Sequence, residues 1–586
     1  MIRLTARISA ALAALSLVSC SAGMRLPQGH PLAGSQPPRP EAADSYSAFL
    51  VARFATLTND PRTALERYQA ALDTSGGAGE IAQRAVFAAL LAGGFDEAET
   101  MAREADLVDP SALVRLTLAV GAIREGKPAA ADRWLDGGRF GPFNRMTAVN
   151  LRAWCALETS GPDAAREILL AGQADPDLLD SVTLYMLSLI DIAAGEDGRA
   201  LQTLETVWAN GPRLAVASDA HARLLAAAGE RERAREMLLT FREEIGPNPS
   251  LDALRRRIAA GEDVAVRRMD LREGAAMAIY APAAALSARS DGDLAGVYFS
   301  MALALDPQLD IARTLWADAL DEAGRRADAI ATLREVGEDS PFYATARGQM
   351  AWALRREGRN EEALQVAGDA LSHAPDRDLR VQLGDLFASL ERDGEAEAIF
   401  SQIIAGDEAR GRPDWRLYLA RGAARERLGR WPEAESDLMR ARELAPDNAQ
   451  VLNHLGYGWV DRGLNLDEAM QLISRAADLE PHNGMIVDSL GWAHYRLGEF
   501  QRAVIHLERA VELEPGDPVV NDHLGDAYWR VGRRLEAHFQ WKRALSLEPG
   551  ATRAETLRRK LSEGLPEGPN YAGRGADGRG GVMVRP

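Results

Sequence analysis

Six of the nine histidines in this 586-residue chain fall between His454 and His538, a density that raises the question of a metal centre or an acid–base catalyst. Either chemistry needs partners at fixed spacing: further His or Cys ligands for zinc, an HExxH helix, or a pair of carboxylates. None accompanies these histidines. His454 and His523 take the same place in a repeating pattern two units apart, while His506 and His538 fall on the second helices of their units, so they read as surface or packing residues. The chain has only two cysteines, Cys20 and Cys155, which rules out a disulfide framework in the body. Cys155, in the apolar context Leu151-Arg152-Ala153-Trp154-Cys155, reads as a buried helical residue. Near the end, Gly573-Arg574-Gly575-Ala576-Asp577-Gly578 has the form GxGxxG but follows no strand and opens no helix, so it reads as a flexible tail rather than a dinucleotide loop. No catalytic residue, metal or cofactor is expected.

The elements that position the remaining side chains are set by a repeat. Prolines recur at Pro307, Pro341 and Pro375 and again at Pro446, Pro481, Pro515 and Pro549, spaced by 34 or 35 residues within each series. Twelve residues before each stands an alanine (Ala295, Ala329, Ala363, Ala434, Ala469, Ala503, Ala537), and glycines precede five of these alanines by five residues, at Gly324, Gly358, Gly429, Gly498 and Gly532. Asp488-Ser489-Leu490-Gly491-Trp492 with Gly498 and Ala503, and Leu524-Gly525 with Tyr528, Gly532 and Ala537, resemble the tetratricopeptide repeat, whose period is 34 residues. The expected fold is all-α: a superhelical solenoid of about 14 helix-turn-helix units, starting near Ser45 and stacking because no single pair buries its apolar face alone. Small residues such as Gly491 and Ala503 let the two helices approach, and Gly498 opens the turn between them.

This repeat changes what length and composition imply. At about 150 residues per domain the chain would hold three or four domains, whereas the period predicts one elongated body. Aromatics are 6% of the residues and the formal net charge is −18, an acidic balance unlike that of most nucleic-acid binders. No small-molecule substrate is indicated.

Residues 1–19 read as an export signal: Arg3 and Arg7, an apolar run from Ile8 to Val18 too short for a bilayer core, and then Leu17-Val18-Ser19-Cys20. That last stretch resembles the lipobox of bacterial lipoproteins, which implies cleavage before Cys20, acylation of Cys20 and, since Ser21 is not Asp, sorting to the outer membrane, lipid-anchored and facing the periplasm. Residues 20–44, with five prolines, form an expected tether reaching up to ~70 Å. The body then divides into a degenerate array over 45–245, an irregular junction over 246–275 marked by Gly246-Pro247-Asn248-Pro249, a clear array over 276–550, and a terminal helix with a Gly-rich tail over 551–586.

In the tetratricopeptide fold the first helix of each unit lines a concave groove. The resemblance places there Asn453, Tyr457, Val460 and Asp461, then Asp488, Trp492, Tyr495 and Arg496, then Asp522, Asp526, Trp529 and Arg530. Aromatic rings among Asn, Asp and Arg suit an extended peptide; the alternative is that Trp492 and Trp529 pack between helices. The stretch from Asn453-His454-Leu455-Gly456-Tyr457 to Asn521-Asp522-His523-Leu524-Gly525-Asp526 is similar to one group of long outer-membrane lipoproteins of Gram-negative bacteria. That group implies an adaptor that binds a periplasmic carboxyl-terminal processing protease and helps deliver substrates, including cell-wall hydrolases. Two other readings stay open: a scaffold for an envelope secretion or assembly machine, and an enzyme whose divergent N-terminal domain hides between Ser45 and Pro247.

Overall fold

The structure, a computed structural model, describes residues 40–75, 79–105, 109–171, 178–287, 292–373 and 375–566. Within them lie thirty α-helices and no strand. Twenty-eight of these form fourteen antiparallel pairs, from Pro40–Leu57 with Pro61–Ser75 to Pro518–Arg530 with Arg534–Ser546, leaving Pro249–Ala259 and Ala551–Glu563 single. Between Ser45 and Pro247 every described element is a helix. The chain forms two compact units that divide at Val114, and the Gly-Pro-Asn-Pro stretch lies inside the second.

The physical reason for the period is visible in the packing. All seven register alanines, Ala295 through Ala537, are fully buried, because a methyl group is the largest side chain that fits where paired helices touch. Gly491 and Gly525 allow the approach from the other side: a Cβ at Gly491 would stand 2.6 Å from Leu507 Cγ, and one at Gly525 2.5 Å from Trp541 Cδ1. Gly324, Gly358, Gly429, Gly498 and Gly532 all have φ between 76° and 85°, the left-handed conformation that ends the first helix and that residues with a Cβ resist.

Two boundaries differ from expectation. The first helix begins at Pro40, inside the stretch read as tether. The junction is also partly helical: Pro249–Ala259 is a helix, the next begins at Leu271, and residues 246–248 and 260–270 lie outside helices. Asn248 and Pro249, read as breakers, start this helix. The Asn248 side chain accepts from the Leu251 N–H at 3.1 Å, and Pro249 occupies the first helical turn, where its missing N–H costs nothing. The helix Asp393–Ala409 is 17 residues long, longer than the other second helices of the C-terminal array, and buried Asp407 near its end accepts from Arg377 Nη2 at 2.7 Å. Between Ala449–Arg462 and Leu466–Leu479 the turn is made with two left-handed residues, Gly463 and Asn465.

Cys155 is 1% exposed, and burial with nearby Asp132 pushes its thiol up to about 12. Cys20, the leader, the tether up to residue 39 and the Gly-rich tail from 567 lie outside the described residues.

Candidate functional site

The groove positions of the last three pairs come from the helices Ala449–Arg462, Gly484–Arg496 and Pro518–Arg530. Each opens on a side chain that caps its N-terminus, Asn448, Asn483 or Asp517. With the caps one period apart, equivalent side chains align across the repeats.

These side chains do not share one environment. Asp488, Asp522 and Asp526, expected on an open surface, are buried, and each is matched to a cation from the next first helix along the chain. His523 Nδ1 lies 2.9 Å from Asp488 Oδ2. Lys560 Nζ, from Ala551–Glu563, lies 2.6 Å from Asp522 Oδ1 and 2.8 Å from Asp526 Oδ1, and Trp541 Nε1 donates to the same Asp526 oxygen at 2.9 Å. Arg553 adds a longer contact to Asp522 at 3.3 Å. The acids are therefore internal struts between repeats, because an uncompensated carboxylate in that position would be too costly to bury. Burial pulls the His523 imidazole down, but the Asp488 carboxylate beside it outweighs this and holds its pKa above the usual histidine value. Asp526 is displaced upward by burial, which Lys560 only partly offsets.

In front of these struts the half-buried side chains form a wall. Trp492 stacks on Tyr495 at 4.6 Å between ring centroids and on the His523 ring at 4.0 Å. Arg530 Nε donates to the Tyr495 hydroxyl at 3.2 Å, and Arg496 Nη1 donates to the Asp461 carbonyl at 2.8 Å. Asp461 is exposed, whereas Val460 is core. Tyr457 is half-buried, and burial, together with Asp461 and Asp488, pushes its hydroxyl up to about 12. The Asn453 Oδ1 and Trp492 Nε1 atoms have no hydrogen-bond partner among the described residues.

Trp529 is covered by its own chain. Gly564, at φ 75°, crosses the ring so closely that a Cβ there would stand 2.0 Å from Trp529 Cζ2; Arg534 lies over the ring at 3.7 Å, and Arg530 Nη1 holds the Pro566 carbonyl at 2.8 Å. Helix packing therefore accounts for Trp529, and Asn453, Tyr457, Trp492, Tyr495 and Arg496 remain as the wall. Reading the sequence missed His523, Lys560 and Gly564. The one available signal was that His523 follows the acidic slot by one residue and Asp488 by 35, which sets them face to face on successive helices.

Of the other histidines, His494 and His506 stack at 5.1 Å between ring centroids. His454 meets Glu426 at 2.9 Å and His494 meets Glu499 at 2.7 Å. No group of three or more His, Cys, Asp or Glu able to hold a metal ion occurs among the described residues.

Residues 488–517 match the family model described as tetratricopeptide repeat. A curated protein of Pseudomonas aeruginosa, TPR repeat-containing protein PA4667, is 29% identical over 187 residues, which is 32% of this chain and 31% of that protein's length. Among solved structures, the Cut9–Hcn1 hetero-tetramer of the APC/C aligns over 89% of this chain and 96% of its own at 16% identity and a TM-score of 0.37. Yeast Tom70 aligns over 77% and 94% at 14% identity and 0.35. Residues 488–517 thus match one tetratricopeptide repeat, and paired helices of about the same 34-residue period extend along the described chain on either side of it.

Proposed function

We propose that the protein is a non-catalytic scaffold, held at the periplasmic face of the outer membrane by acyl chains on Cys20, that recruits a carboxyl-terminal processing protease and promotes degradation of cell-wall hydrolases. The observation that carries the protein-binding part is the wall itself: Asn453, Tyr457, Trp492, Tyr495 and Arg496, rings interleaved with polar groups along successive helices and braced from behind by the buried Asp488–His523 pair. Such a surface offers stacking area and hydrogen-bonding groups at little entropic cost, because its side chains are already fixed. The resemblance of residues 449–549 to lipoprotein adaptors supports the choice of partner. No helix among the described residues is long and apolar enough to cross a membrane, so attachment in this reading falls to the lipidated cysteine. Confining enzyme and substrate to one tethered body raises their effective concentration without any chemistry by the scaffold.

Two measurements test this. Capture from solubilised envelopes should recover a processing protease with the wild-type protein and lose it with Asn453→Ala/Tyr457→Ala, helical circular dichroism being unchanged; equal recovery removes the wall from the proposal. In a purified system the protease should degrade a cell-wall hydrolase faster when the scaffold is present, and identical rates with and without it overturn the adaptor reading.

A further inference from the structure

A second site lies far from the wall in sequence, where the regular pairing of helices is interrupted. Residues 262–270 cross between Pro249–Ala259 and Leu271–Ser287 without forming helix or strand. No backbone N–H from Asp263 to Met269 has a hydrogen-bond partner among the described residues. Arg223 Nη1 donates to the Ala265 carbonyl at 3.3 Å and fixes the segment in place. It borders a cavity of about 210 Å³ whose apolar surface includes Leu189, Met269, Ile311 and Phe342.

The charges around this cavity are already matched within the chain. Asp219 pairs with Arg223 at 2.7 Å, Arg267 with Glu273 at 3.1 Å, and Asp310 with Arg313 at 3.5 Å. The Asn248 side chain is committed to its cap. Of the lining polar side chains without a hydrogen-bond partner among the described residues, Ser250, Gln308 and Tyr185, only Tyr185 is buried. Tyr185 lines the cavity and is 1% exposed, and its hydroxyl has no hydrogen-bond partner among the described residues. Burial, reinforced by Asp219, raises its pKa well above the usual tyrosine value, so it stays a hydrogen-bond donor. An arriving carbonyl oxygen would give it an acceptor, a hydrogen bond worth about 0.5–1.5 kcal/mol net.

We propose that this cavity takes an extended, uncharged segment of a partner polypeptide, which lies along residues 263–269, seats one aliphatic or aromatic side chain against Leu189, Met269, Ile311 and Phe342, and gives Tyr185 a backbone carbonyl. An unpaired extended segment is the template that β-strand addition uses. Matched charges around the cavity favour an uncharged side chain, since a charged one would be desolvated with no ion left to pair it. The site is independent of the wall at 453–496.

The test uses four fluorescently labelled heptapeptides of alternating Val and Thr, acetylated and amidated, with Leu, Phe, Asp or Lys at the centre, titrated against the full chain by anisotropy. The Leu and Phe peptides should bind at least ~10-fold more tightly than the Asp and Lys peptides. Tyr185→Phe, which removes only the hydroxyl, should weaken the Leu peptide by roughly 5- to 10-fold. Successive N–H groups on an extended chain point to opposite edges, so one of Ala265→Pro and Val266→Pro should abolish binding, with circular dichroism unchanged. Asn453→Ala/Tyr457→Ala should bind the peptide normally, which separates this site from the wall. Failure of the Leu and Phe peptides to bind at millimolar concentration overturns the proposal, as does preference for a charged peptide, indifference to both proline variants and Tyr185→Phe, or equal affinity for free leucine or phenylalanine.

Discussion

The C-terminal repeats and the centre of the chain bury polar groups in opposite ways. Between Asn453 and Lys560 each buried acid on a first helix has its cation on the next first helix: Asp488 with His523, and Asp522 and Asp526 with Lys560. In the central stretch Tyr185 has no such partner, and His221, 3% exposed, has an Nε2 with nothing to bond. Regular repeats allow the first arrangement because equivalent positions recur at one spacing, so a donor on one unit always faces the same slot of its neighbour. Unpartnered buried atoms nevertheless occur in both regions, His221 Nε2 in the centre and Asn453 Oδ1 and Trp492 Nε1 in the C-terminal repeats among the described residues. What regularity supplies is a cation at a fixed spacing for each buried acid of the last repeats.

Breaking a strut gives the largest contrast. Asp488→Ala leaves His523 buried and unpaired and should cost about 3–5 kcal/mol, read as a lowered urea midpoint for the C-terminal repeats by tryptophan fluorescence. Tyr185→Phe in the centre should cost nothing or stabilise slightly, because its hydroxyl gives up no bond. Equal losses at the two positions would erase the distinction.

Much of the fold was legible in the sequence because period and residue type there carry the same steric message. Buried Ala503 and left-handed Gly498 are each the residue their position demands, so composition at a fixed spacing sufficed. The site was legible only in outline. Asp488 and Asp461 are the same residue type on first helices, yet one is a buried strut and the other exposed; the neighbour across the repeat differs, a buried His523 for the first and a half-buried Arg496 at 3.6 Å for the second. The covering of Trp529 by Gly564 was hidden for the same reason, since nothing local in either residue announces the contact. At the junction, Asn-Pro has two meanings, helix stop and helix start, and the apolar pattern of the next ten residues chooses between them: here Leu251, Leu254 and Ile258 bury on one face.

Proton linkage sharpens the contrast with opposite signs. Burial lowers the His221 pKa from 6.5 to about 4, so the unfolded chain binds more protons below the ordinary value. His221 therefore contributes stability that is present above pH 6.5 and lost as pH falls through about 4, up to roughly 3 kcal/mol in all. The pKa of His523 is raised, so its contribution is full below pH 6.5 and disappears as pH rises through the folded-state value. Thermal melts from pH 4 to 9 should show His221→Gln flattening the acid limb and His523→Gln the limb above 6.5. The same limb moving in both variants would contradict the assignment.

Glycines give a smaller test of the same idea. Gly525→Ala pushes a methyl group against Trp541, which is fully buried and tied to Asp526, and should cost about 1–3 kcal/mol. In the central stretch Gly198 has nothing within 4 Å of a built Cβ, and Gly198→Ala should stabilise by about 0.5–1 kcal/mol through helix propensity. Chemical denaturation of the two variants reports opposite signs if the C-terminal repeats are the tightly fitted ones.

The smallest expected effect bears on how the irregular centre is held. Asn248 caps the single helix Pro249–Ala259, whose Leu251, Leu254 and Ile258 bury in the adjoining core. Asn248→Ala removes that acceptor from the Leu251 N–H and should cost about 1 kcal/mol. The loss should be local: amide exchange should accelerate in residues 249–259, while the repeats after Ala449 keep their protection. Because Leu251 also lines the cavity beside residues 263–269, loosening this helix should weaken the Leu-centred peptide about as much as it destabilises the helix, leaving partner capture by the wall unchanged. Uniform acceleration of exchange along the whole chain would mean that the centre and the C-terminal repeats unfold as one unit, and that the contrast between them is one of contacts alone.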